Sequence, residues 1–373
     1  MRRGEAVTGG VVCTRRAFVA AAGVGAVGLA AGGLLAGCVA DGATSDGGSA
    51  ASAGGSVATD VGSSSSSSSD AVGEQSATLF CFDTVAQLSA LCTEELMDEA
   101  AARCEFFENT LSRTVEGSDV WNINRAGGEP VEVEPETAEV IEAALAFAEE
   151  TDGLFDITIG AVSQLWDFDL GVKPDDAEIE EALAHVGWQG VSVEGTTVTL
   201  ADPEAALDLG GIAKGYIADD LAELLREGGC GSACLSLGGN VYVLGESFDG
   251  DAWNVGVQDP NGEAEDVIAT VEAEDASVVT SGLYERSFEE DGVTYHHILD
   301  PATGYPVETD LASASVVSES SLDGDAYSTI LFLLGHDAAL ELLDEDDRLE
   351  GLLVDTSGEV ALSQGATFEL AEG

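Results

Sequence analysis

Lys214 lies in a glycine-rich run at residues 208–216 (DLGGIAKGY), in a chain that has two lysines against 71 acidic residues. Glycines let backbone N–H groups approach a ligand closely, and a lone cation beside such a turn suits an anion such as phosphate. A polyanion bound to so acidic a chain needs locally concentrated positive charge, which predicts a metal ion as well. The alternative is a turn that enters a helix, with Lys214 solvated on the surface.

Asp325 and Thr329 stand four residues apart near the start of an otherwise apolar segment. On a helix, this spacing places the carboxylate and the hydroxyl on one face. Both groups supply hard oxygens, which suit a Mg²⁺ ion that holds the phosphates of a substrate, and a helix N-terminus favours anions nearby. The alternative is that Asp323 or Asp325 simply caps the helix.

Two of the four histidines, His296 and His297, precede a turn sequence, DPATG, at residues 300–304. Neighbouring side chains of an extended segment point to opposite faces, so at most one of the two can face a given site. His297 is the candidate base or ligand contact, because imidazole changes its charge near neutral pH. The alternative is a histidine that packs or caps within the structure.

Two further segments could contact a ligand. Residues 152–160 (DGLFDITIG) place Gly and Asp around Phe155, which is typical of a tight turn beside a planar ligand. The alternative is a turn whose Phe155 packs in the core together with Trp166. Ser281 and Gly282 follow a predicted strand and can offer hydroxyl and backbone N–H donors to phosphate, although small residues often only end a strand.

Both helices and strands are needed to position these residues. The sequence predicts helices at 93–111, 137–150, 212–227, 321–334 and 337–343. It predicts strands at 78–91, 233–245, 253–258, 276–280, 294–300 and 312–317, and hairpins at 191–200 and 352–362. Strands cluster in runs rather than alternating with helices, so we expect a mixed α+β fold with largely antiparallel sheets and packed helices.

The formal net charge of −59 limits the partners of this chain. It excludes nucleic acid, whose phosphates would be repelled, and it excludes binding to an anionic membrane surface through a basic patch. The hydrophobic fraction of 45% is that of a globular protein with a real core.

Five cysteines follow Cys38, and an odd number cannot all pair within the chain. Cys230 and Cys234 could close a disulfide or contribute to a metal site. However, no second cysteine pair or nearby histidine completes a zinc set. Buried thiols that pack as small apolar side chains are therefore favoured.

The N-terminal residues predict export. Arg15 and Arg16 precede an apolar run that ends at Gly37, too short and too weakly hydrophobic for a membrane span, and twin-arginine signals direct folded proteins across the membrane. LAGC at residues 35–38 resembles the lipobox of bacterial lipoproteins, in which the cysteine, here Cys38, is lipidated. The alternative is an incidental cysteine behind an ordinary signal peptide.

The domain organisation follows from these segments. Residues 1–37 are a predicted twin-arginine lipoprotein signal peptide. Residues 38–76, rich in Gly, Ala and Ser with seven successive serines, are the lipidated cysteine and a flexible linker. Residues 77–373 are the folded domain. The predicted location is exported, anchored by lipid to the outer face of the bacterial cytoplasmic membrane.

The order of the segments is more specific than any one of them. In that order the chain resembles the ApbE family, over about residues 78–340, in the motifs DGLFDIT, DLGGIAKGY, LGGN, TSGLY, HHILDPATG and DAYST. Members of this family are FAD:protein FMN transferases, often exported lipoproteins, with an ApbE/T-fold-like architecture. The resemblance implies a Mg²⁺-dependent enzyme that splits the pyrophosphate of FAD. It places FMN through a phosphoester bond on a Ser or Thr of another protein and releases AMP.

The motifs also imply roles for individual residues. The implied metal ligands are the Gly211 carbonyl, the Asp325 carboxylate and the Thr329 hydroxyl. The implied contacts with FAD are Thr84, Leu154, Phe155, Asp156, Asp208, Lys214, Ser281 and His297. The implied catalytic residues are Lys214, His297 and Asp325. One departure is at Phe82-Asp83-Thr84, where the family often has Met-Gly-Thr, so that only Thr84 matches.

The acceptor proteins of the family carry an Asp-Gly-x-Ser/Thr-Gly-Ala-Ser/Thr pattern. This chain has Gly365-Ala366-Thr367 without the preceding residues, so modification of the chain by itself is not supported. Two alternatives stay open. A Mg²⁺-dependent FAD pyrophosphatase would use the same residues with water in place of the acceptor hydroxyl. A non-catalytic lipoprotein that only binds flavin would not need the metal-binding residues.

Overall fold

The structure, a computed structural model, describes residues 18–20, 71–263 and 265–371. The helices are α1 (Glu94–Leu111), α2 (Asp119–Ile123), α3 (Pro135–Glu150), α4 (Gly160–Ser163), α5 (Asp176–Leu183), α6 (Ala213–Glu227), α7 (Ser321–Leu334) and α8 (His336–Glu345), with a 3-10 helix at Trp188–Gly190. The strands are β1 (Phe18–Ala20), β2 (Gly73–Cys81), β3 (Thr84–Cys92), β4 (Val131–Glu132), β5 (Val191–Glu194), β6 (Thr197–Leu200), β7 (Ala233–Leu237), β8 (Asn240–Leu244), β9 (Trp253–Gln258), β10 (Val267–Ala273), β11 (Ala276–Gly282), β12 (Ser287–Glu290), β13 (Val293–His296), β14 (Leu311–Ser318), β15 (Glu350–Asp355), β16 (Val360–Leu362) and β17 (Glu369–Leu370).

An eight-stranded sheet, in the order β16-β15-β14-β11-β8-β7-β3-β2, forms the centre of the fold, and its neighbouring strands pair antiparallel. Helices α1, α6, α7 and α8 pack on one face of this sheet. A four-stranded sheet, β1-β9-β10-β17, covers part of the other face. The predicted α+β fold with largely antiparallel sheets is confirmed.

Strands β7 and β8 show why the central sheet lies between two cores. Side chains alternate across a strand, so a continuous apolar run is buried on both faces. Leu235 and its register partner Tyr242 join the core under the helices. The next pair, Cys234 and Val243, joins the core between the two sheets.

The strand predicted over residues 78–91 is instead the hairpin β2–β3. The chain reverses at Phe82 and Asp83, whose φ angles are 53° and 56°, and two successive positive φ values give the tight turn that matches strand twist. The sequence did not predict this turn, because it carries no glycine or asparagine. β2 begins at Gly73, so the predicted end of the linker at residue 76 falls inside a strand.

Other elements also differ from the prediction. The strand predicted over residues 233–245 is the hairpin β7–β8, which reverses at Gly238 and Gly239 with φ angles of 53° and 82°. The strand predicted over residues 294–300 ends at His296. Helices α4 and α5 and strands β10 and β12 were not predicted. Helix α4 and strand β12 have four residues each, too few to show a period, whereas β10 alternates between buried and more exposed residues, a pattern that the prediction missed.

Helices α6 and α7 meet closely at Gly215. A Cβ atom on Gly215 would lie 2.2 Å from the carbonyl oxygen of Ser321, so only glycine fits at this crossing. Helix α7 is capped by Ser320, whose hydroxyl oxygen accepts the backbone N–H of Asp323 at 3.1 Å. The alternative in which Asp323 or Asp325 caps the helix is therefore wrong, and the Asp325 carboxylate is left for other contacts.

The five cysteines of the folded part are buried: Cys81, Cys92, Cys104, Cys230 and Cys234. Burial raises the pKa of the Cys81 and Cys92 thiols to about 11. The Cys230 thiol donates to the carbonyl oxygen of Ser232 at 3.2 Å. The interpretation of Cys230 as a buried thiol is confirmed.

Most of the predicted signal peptide and linker, including Cys38, lies outside the described residues. Residues 18–20 of the predicted signal peptide form β1, which pairs parallel with β9. Within the part of the chain that the structure describes, no helix combines the length and the apolar character needed to cross a membrane. The signal peptide, the lipidation of Cys38 and the location stay predictions.

Candidate active site

A cavity of about 310 Å³ opens between the tip of the β2–β3 hairpin, the glycine-rich segment before α6 and the first turns of α7. This volume is at the lower end of the range for ligand sites. Every predicted site residue of the folded part lines it: Thr84, Leu154, Phe155, Asp156, Asp208, Gly211, Lys214, Ser281, His297, Asp325 and Thr329. The sequence therefore located one cavity, while the role of each residue in it stays a prediction.

Lys214 and Asp325 form an ion pair in this cavity. Nζ of Lys214 lies 3.2 Å from Oδ1 of Asp325 and donates to the carbonyl oxygen of Gly210 at 2.8 Å. Asp325 is buried, and its Oδ2 accepts the backbone N–H of Gly215 at 2.9 Å. The side chain of Lys214 is 22% exposed and has two partners, so the alternative of a lysine solvated on the surface is wrong.

The predicted metal ligands are close to one another. A Cβ atom on Gly211 would lie 3.5 Å from Oγ1 of Thr329 and 3.2 Å from the ring of Phe155, so the glycine backbone lies directly against both side chains. Thr329 is one helical turn after Asp325 on α7. The three groups offer a carbonyl, a carboxylate and a hydroxyl oxygen, and this chemistry fits Mg²⁺.

This predicted site has a single carboxylate. Among residues 18–20, 71–263 and 265–371, no group of three or more His, Cys, Asp or Glu side chains is arranged to hold a metal ion. Mg²⁺ typically binds through one or two carboxylates together with substrate phosphates and water, rather than in a cage made only of protein. By their chemistry, one carboxylate with a carbonyl and a hydroxyl oxygen fit this mode of Mg²⁺ binding.

Asp208 is held by one ion pair and two hydrogen bonds. Nε of Arg113 lies 3.1 Å from its Oδ2, the Ser163 hydroxyl donates to Oδ2 at 2.7 Å, and the Gly210 N–H donates to Oδ1 at 3.0 Å. Burial by itself would raise the pKa of Asp208, but the charge of Arg113 and these hydrogen bonds lower it below its ordinary value. Asp208 is therefore ionised at neutral pH.

Asn124 fixes the approach to Asp208. Its side-chain amide donates to the carbonyl oxygen of Leu207 at 2.9 Å and accepts the N–H of Leu207 at 2.6 Å. Asn124 thus has a positioning role, because it pins the residue just before Asp208. Sequence spacing could not give this contact, since the two residues are 83 positions apart.

The carboxylate of Asp156 accepts hydrogen bonds from neighbouring segments of the protein rather than pointing free into the cavity. Its Oδ1 accepts the N–H and the hydroxyl of Thr158 at 2.8 and 2.6 Å, and its Oδ2 accepts the N–H of Trp188 at 3.0 Å. These bonds fix the turn that presents Leu154 and Phe155 to the cavity. Phe155 is also buried edge-to-face against Phe147, so it is both a core residue and a lining residue.

Thr84 and Ser281 are likewise tied to their surroundings. Thr84 packs against the turn of the β7–β8 hairpin, where a Cβ atom on Gly238 would lie 2.2 Å from its hydroxyl. Ser281 shares a hydrogen bond of 2.9 Å with Ser328, which donates to the carbonyl oxygen of Asp325 at 2.9 Å. Ser281 therefore couples β11 to the turn of α7 that carries Asp325.

Several of the few basic residues of the chain lie at the cavity. The chain has 12 Lys and Arg residues, of which four precede residue 17. Three of the remaining eight line the cavity: Arg113, Lys214 and Arg286. Five acidic residues line the cavity as well: Asp83, Asp156, Asp208, Glu285 and Asp325. Arg113 and Lys214 are each paired with one of them, so the cavity offers individual cations to an anionic ligand but no excess of positive charge. The sequence prediction named only Lys214, because the arginines reach the site through tertiary structure.

The two histidines separate as predicted. His296 is buried, with its ring against Phe332 and its Nε2 3.2 Å from the carbonyl oxygen of Val307. His297 lines the cavity. Burial, together with the charges of Arg286 and Lys214, lowers the pKa of His297 to about 3. His297 is therefore neutral at neutral pH, and in this state it binds a proton only weakly.

Glu285 is a lining residue that the sequence prediction missed. Its Oε2 lies 3.8 Å from Nε2 of His297, and its Oε1 is buried with no hydrogen-bond partner among the described residues. Burial raises the pKa of Glu285 to about 8, with Lys214 opposing the rise and Asp325 adding to it. The available signal was its position next to TSGLY, but an isolated glutamate does not reveal its burial.

Replacing Glu285 with glutamine should change the pH dependence of stability. The folded state holds the Glu285 proton up to about pH 8, whereas the ordinary pKa is 4.5, so folding stability falls as pH rises between these values. His297 has the opposite slope, but only below its ordinary pKa of 6.5. As pH rises from 6.5 to 8, the free energy of unfolding of the wild type, measured with urea, should fall by about 1–2 kcal/mol more than that of Glu285→Gln. Equal slopes for the two proteins would contradict a buried, protonated Glu285.

Comparison with known proteins adds to this geometry. The model of the ApbE family matches residues 82–353. A FAD:protein FMN transferase of Treponema pallidum (strain Nichols) is 40% identical over 277 residues, which is 69% of this chain and 76% of that protein. One from Klebsiella pneumoniae (strain 342) is 39% identical over 276 residues, 71% of this chain and 85% of that protein.

The chain belongs to the ApbE family. A solved structure of an ApbE protein from Thermotoga maritima superimposes with a TM-score of 0.72 and 33% identity, covering 78% of this chain and 97% of the other. The flavin transferase ApbE of Vibrio cholerae gives a TM-score of 0.69 at 25% identity, covering 79% and 98%. This chain therefore aligns with nearly the whole length of both solved chains.

Proposed function

We propose that this chain is a FAD:protein FMN transferase, which moves FMN from FAD to a Ser or Thr hydroxyl of an acceptor protein and releases AMP. The observation that carries the proposal is the convergence of every predicted site residue on one cavity that also gathers three cations. A relative named FAD:protein FMN transferase, which is 40% identical to this chain, supports it. The three basic side chains at the cavity support a pyrophosphate substrate, because phosphate oxygens bind cations and the chain has only 12 Lys and Arg residues against 71 acidic ones.

In the proposed reaction, the acceptor hydroxyl oxygen attacks the phosphorus atom on the FMN side of FAD. A P–O bond to the acceptor forms, the bond from that phosphorus to the bridging oxygen breaks, and AMP leaves with the bridging oxygen. Phosphoryl transfer depends mainly on positioning and on neutralising charge. Lys214 is the cation best placed to bind the pyrophosphate, since Asp325 and Gly210 orient its Nζ.

Mg²⁺ fits the same site. Gly211, Asp325 and Thr329 would hold it, and when bound it would offset negative charge on the pyrophosphate oxygens. Lys214 would then share the Asp325 carboxylate with the ion, which the four acceptor positions of a carboxylate allow.

The acceptor hydroxyl must lose its proton during attack. We assign His297 as the acceptor of this proton, because it lines the cavity and its imidazole is neutral at neutral pH. A pKa of about 3 makes the imidazole a weak base, so the assignment requires that the negative charge of the bound pyrophosphate raise this pKa toward neutrality. Most of the Glu285 carboxyl group already holds a proton at neutral pH, since its pKa is about 8, so little of it is free to accept another. Glu285 instead lies where it can interact with the imidazole, with 3.8 Å between Oε2 and Nε2.

A transfer assay with the full chain tests the proposal. The chain is incubated with FAD, Mg²⁺ and a small acceptor domain that carries the Asp-Gly-x-Ser/Thr-Gly-Ala-Ser/Thr pattern, and the acceptor is analysed by mass spectrometry. We expect the acceptor to gain the mass of FMN, AMP to appear in equal amount, and EDTA to abolish both.

Two other outcomes would contradict the proposal in distinguishable ways. AMP and free FMN without labelled acceptor would indicate a pyrophosphatase. FAD that is bound but intact would indicate a flavin-binding protein. An acceptor domain whose modified Ser or Thr is replaced by Ala serves as the matched control for the site of attachment.

A further inference from the structure

Strand β2 is an edge strand that leads directly into the cavity. It is the last strand of the eight-stranded sheet and pairs only with β3 among the described strands. Its last residue, Cys81, is followed by Phe82 and Asp83, which line the cavity together with Thr84. A peptide segment that lay along this edge would therefore end at the mouth of the cavity.

The free backbone groups of this edge can be identified from the register. The two-residue turn closes on the pair Cys81–Thr84, and hydrogen-bonded pairs alternate along an antiparallel ladder. The N–H and C=O groups of Glu74, Ser76, Thr78 and Phe80 therefore point away from β3. The same four residues are exposed.

This edge lacks the features that usually block edge-to-edge pairing. Natural sheets shorten edge strands, interrupt them with bulges, or place Lys and Pro on them. β2 has nine residues, pairs with β3 in unbroken register, and contains neither Lys nor Pro. The opposite edge of the same sheet, β16, has three residues. An open edge of this length beside an active site is a surface on which another chain can add a strand.

The exposed side chains indicate what kind of segment fits. Phe80 and its register partner Val85 are 71% and 44% exposed and form an apolar pair next to the cavity mouth. The rest of the exposed row is Glu74, Ser76 and Thr78, with a single charge at the far end. A partner segment should thus be extended, with an apolar side chain opposite Phe80 and any charged residue farther from the cavity mouth.

We propose that an extended segment of the acceptor protein pairs with the β2 edge and so delivers its hydroxyl to the cavity, an inference that rests on the proposed transferase function. The strand rise of about 3.3 Å per residue places the modified Ser or Thr within roughly three residues of the side chain that packs on Phe80. Backbone pairing supplies affinity for many acceptor sequences, and the Phe80–Val85 pair supplies the register.

Thr78→Pro tests this docking surface. Proline removes an outward N–H without breaking a β2–β3 bond, and proline is tolerated on an edge strand where its N–H side faces solvent. We expect the KM for the acceptor domain to rise about tenfold, as the loss of one or two backbone hydrogen bonds implies. The KM for FAD and the melting temperature should stay near wild type. Thr78→Ala, which keeps the N–H, is the matched control and should behave as wild type.

A second variant and a direct measurement guard against a Thr78→Pro protein that folds poorly. Phe80→Ala should raise the KM for the acceptor and leave FAD affinity unchanged. Hydrogen exchange on the wild type should show slower exchange at the amides of Ser76, Thr78 and Phe80 when the acceptor domain is added.

Three results would overturn the docking proposal. An unchanged acceptor KM in both variants would do so. Slow exchange at these amides before any acceptor is present, or protection that depends on protein concentration, would assign the edge to the chain's own residues or to a second copy. Because a wild type that transfers no FMN refutes the transferase function instead, the two failures are distinguishable.

Discussion

Replacing Asp325 with asparagine is expected to lower the rate of FMN transfer about 10³-fold, the scale of several kcal/mol that a lost metal contact represents. The substitution keeps an oxygen for the N–H of Gly215, which Asp325 now accepts at 2.9 Å, and so preserves the packing of α6 on α7. It removes the charge that orients Lys214 at 3.2 Å. Transfer is measured by acceptor mass at varied Mg²⁺, and the Mg²⁺ concentration for half-maximal rate should rise.

Asp323 provides the control on the same helix. It lies two residues earlier, its side chain is 26% exposed, and its charged partner is Arg348 at 3.7 Å rather than a cavity residue. Asp323→Asn should lose only a long, partly exposed ion pair, which is worth about 0–1 kcal/mol of stability, and keep wild-type transfer. Equal loss of activity in both variants would assign the effect to the helix, and full activity in Asp325→Asn would refute the metal assignment.

The sequence predicted the cavity because its chemistry lies in local motifs. Lys214 reaches the site from the start of α6, and Asp325 reaches it from the start of α7. The glycine run before Lys214, the helical periodicity and the spacing from Asp325 to Thr329 can each be seen within a few residues of sequence. The meeting of Lys214 and Asp325 across the α6–α7 crossing was not visible, since it depends on a packing contact between residues far apart in sequence.

What the sequence missed is the part that tertiary contacts determine. Glu285 is unremarkable as a glutamate, and only its burial gives it a pKa of about 8. Arg113 reaches Asp208 from the loop after α1. The turn at Phe82 and Asp83 has positive φ angles without a turn-forming pair of residues, so local propensity favoured one continuous strand there.

Gly215→Ala is the substitution expected to destabilise the fold most. The new methyl group would lie 2.2 Å from the carbonyl oxygen of Ser321 and 2.7 Å from Cα of Leu322, and both contacts are backbone atoms that cannot rotate away. Overpacking of this kind costs about 3 kcal/mol, because α6 and α7 must move apart. Urea unfolding should show this loss through a lower midpoint at unchanged slope.

The same displacement should impair the site, because Lys214 and Asp325 lie on the two helices that separate. Their Nζ–Oδ1 distance of 3.2 Å and the bond from the N–H of Gly215 to Asp325 both cross this interface. Transfer by the folded fraction should therefore fall as well, which a purely global loss of stability would not produce. Gly231→Ala is the control, since a Cβ atom there meets open space and the backbone needs no positive φ. The Gly231→Ala protein should match the wild type in both stability and transfer. If the Gly215→Ala protein also matched the wild type, α6 and α7 could move apart without cost, and the site would not depend on their close approach.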